Sequence, residues 1–125
     1  MANSEVIYLI DDDPSARKGL SRLLSVAGHE VKEFLSGDEF LAVAKPDMTG
    51  CIILGARMPG LSIEELHSEL ILRHISLLLI FVTADCDPKI KEIAMQVNAV
   101  GFFRKPVDGT ALLDAIDWAL SNERA

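Results

Sequence analysis

The stretch Val6-Ile7-Tyr8-Leu9-Ile10-Asp11-Asp12-Asp13-Pro14 decides the fold of this chain. Five consecutive apolar residues followed by three acids predict a strand that is buried on both faces and ends at a polar edge. Pro14 directly after Asp13 predicts the start of a helix with Asp13 as its N-cap, because proline suits the first helical position. A buried strand that leads directly into a helix is the first half of a β-α-β unit.

The same alternation of strand and helix continues along the chain. Strands are predicted at 6–10, 30–34, 51–54, 78–83 and 101–104, and helices at 14–27, 37–45, 62–73, 88–98 and 108–121. Because each strand is followed by a helix, the pattern predicts an α/β fold with a single-domain (βα)5 architecture. Its five-stranded sheet is parallel and doubly wound, with helices on both faces. In the first helix an apolar stripe faces the sheet, and Arg17, Lys18 and Arg22 are expected to point outward.

Length and charge limit the classes of function. At 125 residues, the whole chain, 1–125, is expected to form one domain. The net charge of −7 argues against direct nucleic-acid binding, which needs clustered Lys and Arg. No apolar stretch approaches the roughly 20 residues of a membrane helix, and the first residues do not resemble a secretory signal. A cytoplasmic protein that does not bind membranes is therefore expected.

Chemically distinctive positions follow four of the five predicted strands. Three acids at 11–13 follow the first strand, Gly55 follows the third, Thr83 ends the fourth and Lys105 follows the fifth. Because the carboxyl ends of parallel strands meet at one edge, these positions are expected to lie together. Carboxylates, a hydroxyl and an ammonium group suit a divalent cation and a phosphoryl group. A nucleophilic carboxylate would complete a site for phosphoryl transfer, and the residue after the third strand is a glycine.

Four motifs in order give the chain a family resemblance. They are Ile10-Asp11-Asp12-Asp13-Pro14, Arg57-Met58-Pro59-Gly60, Val82-Thr83-Ala84 and Phe102-Phe103-Arg104-Lys105-Pro106. With these motifs the chain resembles the receiver domains of bacterial two-component response regulators, which are CheY-like or FixJ-type domains. The resemblance implies a flavodoxin-like fold and a role in phosphorelay signal transduction, and we expect no enzyme activity.

The resemblance also implies a metal site that lacks one ligand. It assigns Mg²⁺ to Asp11, Asp12 and the backbone carbonyl of Arg57, and it places Gly55 at the position of the phosphoacceptor aspartate. Glycine has no side chain to phosphorylate or to bind metal, so Mg²⁺ binding is expected to be weak or absent. Without a carboxylate at position 55, Lys105 is predicted to form an ion pair with Asp11 or Asp12.

Four further residues match the phosphate and switch positions of the family. Thr83 corresponds to the switch hydroxyl, Phe102 to the aromatic switch and Lys105 to the phosphate-binding lysine, and the Lys105-Pro106 bond corresponds to a cis peptide. Each switch residue has a simpler interpretation. Thr83 suits the end of a strand, and Phe102 suits a packed core.

The leading functional hypothesis is a pseudo-receiver that works without phosphorylation, by contact with a protein. The partner would be a sensor kinase, an output domain or a second copy in a homodimer. The resemblance places the contact on the face formed by the fourth helix, the fifth strand and the fifth helix. Three alternatives stay open. They are a receiver phosphorylated on Asp11, Asp12 or Asp13, a constructed non-phosphorylatable variant of an ordinary receiver, and a phosphohydrolase of the same architecture.

Overall fold

Five strands and five helices alternate in the computed structural model, which describes residues 6–55, 60–84 and 88–124. In chain order they are β1 Val6–Ile10, α1 Pro14–Val26, β2 Glu30–Phe34, α2 Gly37–Leu41, β3 Gly50–Leu54, α3 Ile63–Leu72, β4 Leu78–Thr83, α4 Pro88–Gln96, β5 Gly101–Arg104 and α5 Gly109–Arg124. The predicted (βα)5 architecture is therefore confirmed. None of the helices in these ranges is both long and apolar enough to cross a bilayer.

The strands form one parallel sheet in the order β2-β1-β3-β4-β5. The order reverses between β1 and β3, and the crevice at the carboxyl ends of two such strands is the usual ligand position of a doubly wound sheet. Ile10 at the end of β1 lies opposite Leu54 at the end of β3. The residues that follow them, Asp11 and Gly55, therefore enter this crevice side by side.

The core lies on both faces of the sheet, as the continuous apolar runs predict. Along β1, Val6, Tyr8 and Ile10 belong to the cluster that also includes buried side chains of α2, α3 and α4. Ile7 and Leu9 belong to the opposite cluster, under α1 and α5. This alternation follows from the two-residue period of a strand. It sets the face of the sheet that each β1 side chain enters, while the parallel register with β3 sets the position of the acids that follow.

Helix α2 is shorter than the predicted range 37–45 and ends at Leu41. Val43 and Ala44 donate their N–H groups to carbonyls three residues back, which is the tighter pattern of a helix end. Pro46 sets only the outer limit of this helix, because a proline disfavours helical geometry at the preceding residue and has no N–H of its own. The tighter turns at Val43 and Ala44 end the helix before that limit. The apolar period continues beyond the point at which the backbone can stay helical.

Tyr8 is the only tyrosine in the chain and is buried on β1. Its burial, followed by the carboxylates of Glu30 and Asp47, raises the pKa of its phenol above the ordinary value of 10.0. The folded state therefore favours the neutral phenol. As pH rises above about 10, the unfolded chain loses this proton before the folded chain does. The free energy of unfolding therefore falls with rising pH until the folded chain also loses the proton.

An ultraviolet absorbance titration tests this prediction on the native chain. We expect the phenol to ionise at a higher pH in the folded chain than in the chain unfolded in urea. Tyr8→Phe is the matched control, because it keeps the ring and removes the ionising group. Equal midpoints for the folded and unfolded chains would contradict the prediction.

Candidate functional site

The carboxyl edge of the sheet brings together residues predicted from distant parts of the sequence. Asp11 follows β1, Gly55 follows β3, Thr83 ends β4 and Lys105 follows β5. The main chain stays paired beyond the strand ends. The Gly55 N–H donates to the carbonyl of Ile10 at 2.9 Å, and the Lys105 N–H donates to the carbonyl of Thr83 at 2.9 Å. These bonds keep Gly55 and Lys105 in register with the neighbouring strands.

Asp11 is the centre of this edge, and its side chain is only 5 % exposed. Its Oδ1 accepts the N–H of Asp13 at 3.0 Å, and its Oδ2 lies 3.1 Å from the Nζ of Lys105. Both carboxylate oxygens thus have a donor within the protein, as a carboxylate removed from water requires. The sequence left Asp11 and Asp12 open as partners of Lys105, and the structure pairs it with Asp11.

The carboxylate of Asp11 occupies the space directly beside Gly55. A Cβ atom built on Gly55 would lie 3.1 Å from Cγ, 3.2 Å from Oδ2 and 3.3 Å from Oδ1 of Asp11. Strands β3 and β4 stand between β1 and β5, so the Asp11–Lys105 pair bridges the edge across both of them. The absence of a side chain at position 55 leaves room for this bridge.

Arg17 was missed as a site residue, and the prediction that it points outward is wrong. Its Nη1 donates to the carbonyl oxygen of Asp11 at 2.7 Å, and its Nε lies 3.2 Å from Oε1 of Glu33. Lys18 and Arg22 on the same helix are exposed as predicted. Arg17 lies in the first turn of α1, from which a long side chain reaches back to the acidic loop. The signal in the sequence that could have indicated this contact is the position of Arg17, one helical turn after the acids.

The other two acids of the loop differ from Asp11 in their surroundings. Asp13 is the N-cap of α1, as predicted, and its Oδ1 accepts the N–H groups of Ser15 and Ala16 at 3.0 and 3.4 Å. Asp12 is exposed and makes no hydrogen bond or ion pair with any residue in the described ranges. Of the three acids, Asp11 alone is buried.

The two candidate switch residues are both packed. Thr83 is buried at the end of β4. The half-buried ring of Phe102 stacks on Phe81, with a centroid distance of 6.1 Å and an interplanar angle of 22°. The peptide bond between Lys105 and Pro106 is cis. This packing is compatible with either interpretation of Thr83 and Phe102, and their switch roles stay predictions.

The described residues fit a magnesium ion poorly. Mg²⁺ is usually bound by one or two carboxylates together with waters and phosphate oxygens. Asp11 has both oxygens engaged, Gly55 offers no side-chain oxygen, and Asp12 is exposed, without a partner among the described residues. Within the described ranges, no group of three or more His, Cys, Asp and Glu side chains could hold a metal ion. The third predicted ligand, Arg57, lies outside these ranges.

Comparison with known proteins gives a consistent family match. Residues 7–117 match the model of the response regulator receiver domain. Nodulation protein W of Bradyrhizobium diazoefficiens is 36 % identical over 119 residues, which cover 95 % of this chain and 52 % of that protein. The transcriptional regulatory protein FixJ of Azorhizobium caulinodans is 35 % identical over 116 residues, covering 93 % and 55 %. The chain therefore spans about half the length of these curated relatives.

Solved structures agree over nearly the whole chain. The response regulator StyR superposes with a TM-score of 0.87 at 38 % identity, covering 98 % of this chain and 63 % of that one. The crystal structure of FixJ-N gives a TM-score of 0.84 at 32 % identity, covering 96 % of each chain. The architecture built from β1 to α5 is therefore the one shared by these proteins.

Proposed function

Because this chain belongs to the response regulator receiver family, we propose that it is a pseudo-receiver, which transmits a two-component signal without phosphorylation at position 55. The observation that carries this proposal is Gly55 at the carboxyl edge of the sheet, with the Asp11 carboxylate filling the space beside it. An acyl phosphate needs a carboxylate oxygen as nucleophile, and glycine has none. The proposed role involves no turnover of a substrate.

The neighbouring acids are poor substitutes for the missing nucleophile. The oxygens of Asp11 are held by Lys105 and by the Asp13 N–H, and Asp13 caps α1. Asp12 is exposed on the loop that follows β1. A displacement of about 1 Å from the reacting geometry can lower a rate by about 100-fold. These positions favour a site that is not phosphorylated over one in which a neighbouring acid serves as the phosphoacceptor.

The proposed output is contact with a protein partner in the cytoplasm. The face formed by α4, β5 and α5 is the surface that we assign to it, and the candidates are a sensor kinase, an output domain or a second copy of this chain. Met95 on α4 and Trp118 on α5 are large apolar side chains that are exposed on these helices. Exposed methionine and aromatic side chains are enriched at protein interfaces, which supports this choice.

Intact-protein mass spectrometry after incubation with acetyl phosphate and Mg²⁺ tests the proposal. We expect the mass of the native chain to stay unchanged, because no carboxylate is placed for attack. A receiver domain that has its phosphoacceptor aspartate, treated in parallel, is the positive control. A phosphoryl group on the native chain that base or hydroxylamine removes would contradict the proposal. It would favour a relay receiver that uses Asp11, Asp12 or Asp13.

A further inference from the structure

We infer that the ammonium group of Lys105 occupies the position beside the Asp11 carboxylate that a divalent cation would take. In the native chain it thereby prevents Mg²⁺ from binding at this edge. The inference rests on the proposed function and deepens it, since it names what controls access to the same site. It is carried by the Asp11–Lys105 pair, by the contacts that hold Asp11 in place, and by the missing carboxylate at position 55.

The pair itself is close and shielded from water. Lys105 Nζ lies 3.1 Å from Asp11 Oδ2, and the side chains are 26 % and 5 % exposed. Coulomb attraction between unit charges is stronger in such surroundings than in bulk water. A metal ion that approaches Asp11 must displace this ammonium group or share the carboxylate with it. Sharing would place three positive charges, two on the metal ion and one on the ammonium group, beside a single negative charge.

The loop that carries Asp11 is held so that its carboxylate cannot easily turn toward Asp12. The Asp13 N–H binds Asp11 Oδ1 at 3.0 Å, and Arg17 Nη1 binds the Asp11 carbonyl at 2.7 Å. Arg17 is anchored in turn to Glu33 on β2. Rotation of the carboxylate out of the crevice would break contacts on both of its oxygens. Arg17 therefore acts as a positioning residue for Asp11.

The charges at this edge are balanced without a metal ion. With a glycine at position 55, the described part of the crevice holds one carboxylate, on Asp11, and one ammonium group, on Lys105. This pair is already neutral, and Asp12 adds a single carboxylate that water solvates. Mg²⁺ gives up its hydration water reluctantly, so one exposed carboxylate without phosphate oxygens or a second acid beside it binds the ion weakly.

The experiment compares Mg²⁺ binding by the native chain, Lys105→Gln and Lys45→Gln. Lys45 is exposed in the loop before β3, at the opposite edge of the sheet, and its substitution changes the net charge equally. Binding is read from the amide NMR signals of Asp13 and Gly55 during a Mg²⁺ titration. We expect no saturable shift of these signals in the native chain or in Lys45→Gln. Lys105→Gln should show saturable Mg²⁺ binding at these signals, with an affinity at least about tenfold above the upper limit measured for the native chain, because a positive charge beside the carboxylate is gone.

Two results would overturn the inference. The first is saturable Mg²⁺ binding at Asp13 and Gly55 in the native chain, a measurement that does not depend on the folding of any variant. The second is a folded Lys105→Gln, verified by circular dichroism, that binds Mg²⁺ no better than Lys45→Gln. Neither result bears on whether the native chain accepts a phosphoryl group from acetyl phosphate. That separate mass measurement decides the proposed function.

Discussion

Gly55→Asp is expected to change the chain from one that takes up no phosphoryl group to one that acetyl phosphate modifies in the presence of Mg²⁺. The substitution returns a carboxylate to the end of β3, between the acidic loop and Lys105. It supplies the nucleophile of an acyl phosphate and a further negative charge for the metal. The expected effect is large because the native residue has no reactive group at all.

This variant requires a small movement of the Asp11 side chain. A Cβ at position 55 would lie within 3.1–3.3 Å of the Asp11 carboxylate, so Asp11 must move by a few tenths of an ångström. The new carboxylate then competes with Asp11 for Lys105. Three nearby carboxylates repel one another, which Mg²⁺ relieves. We therefore expect the modification to require Mg²⁺ and to be lost when a chelator removes it.

Gly55→Asn is the matched control for this prediction, because asparagine has nearly the shape of aspartate and no nucleophilic carboxylate. Intact-protein mass spectrometry should show one phosphoryl group on the aspartate variant and none on the asparagine variant. Treatment with hydroxylamine should remove it, as it does for an acyl phosphate. If a folded Gly55→Asp stays unmodified, the glycine is not the sole defect of the site.

The fold could be predicted from the sequence because its signals are local and repeated. The apolar run 6–10 and the turn into Pro14 establish one β-α unit, and four more units follow the same pattern. The predicted strand limits differ from the observed ones only at Gly50, which extends β3 by one residue. The prediction failed at the end of α2, because the backbone tightens after Leu41 while the apolar period continues to Ala44.

The position of the site was also predictable, but its contacts were not. Parallel topology alone places Asp11, Gly55 and Lys105 at one edge, since all three follow strand ends. Which acid faces Lys105 depends on side-chain rotamers that neighbouring elements decide. The inward turn of Arg17 depends on Glu33, which is distant in sequence. No periodicity within α1 encodes that contact, so hydrophobic patterning assigned Arg17 to the solvent face.

Leu66→Ala is expected to be the most destabilising of the substitutions considered. Leu66 lies on α3 and is fully buried against the sheet, in the cluster beneath β1, β3 and β4. Removing a buried leucine side chain loses its transfer free energy and leaves a cavity, which together cost about 3–5 kcal/mol. This is a large share of the roughly 5–15 kcal/mol that stabilises a domain. Urea unfolding followed by circular dichroism measures the loss.

Leu72→Ala is the matched control, since Leu72 is the last residue of the same helix and is 72 % exposed. The chemical change is identical, and exposed substitutions usually alter the free energy of unfolding by no more than about 0.5 kcal/mol. Equal losses for the two variants would contradict the assignment of the buried face of α3. A module that acts through its surface depends on this core, because the core holds the helices that present the surface. Leu66→Ala should therefore lower stability without creating a phosphorylation site, whereas Gly55→Asp should create one while the core stays packed.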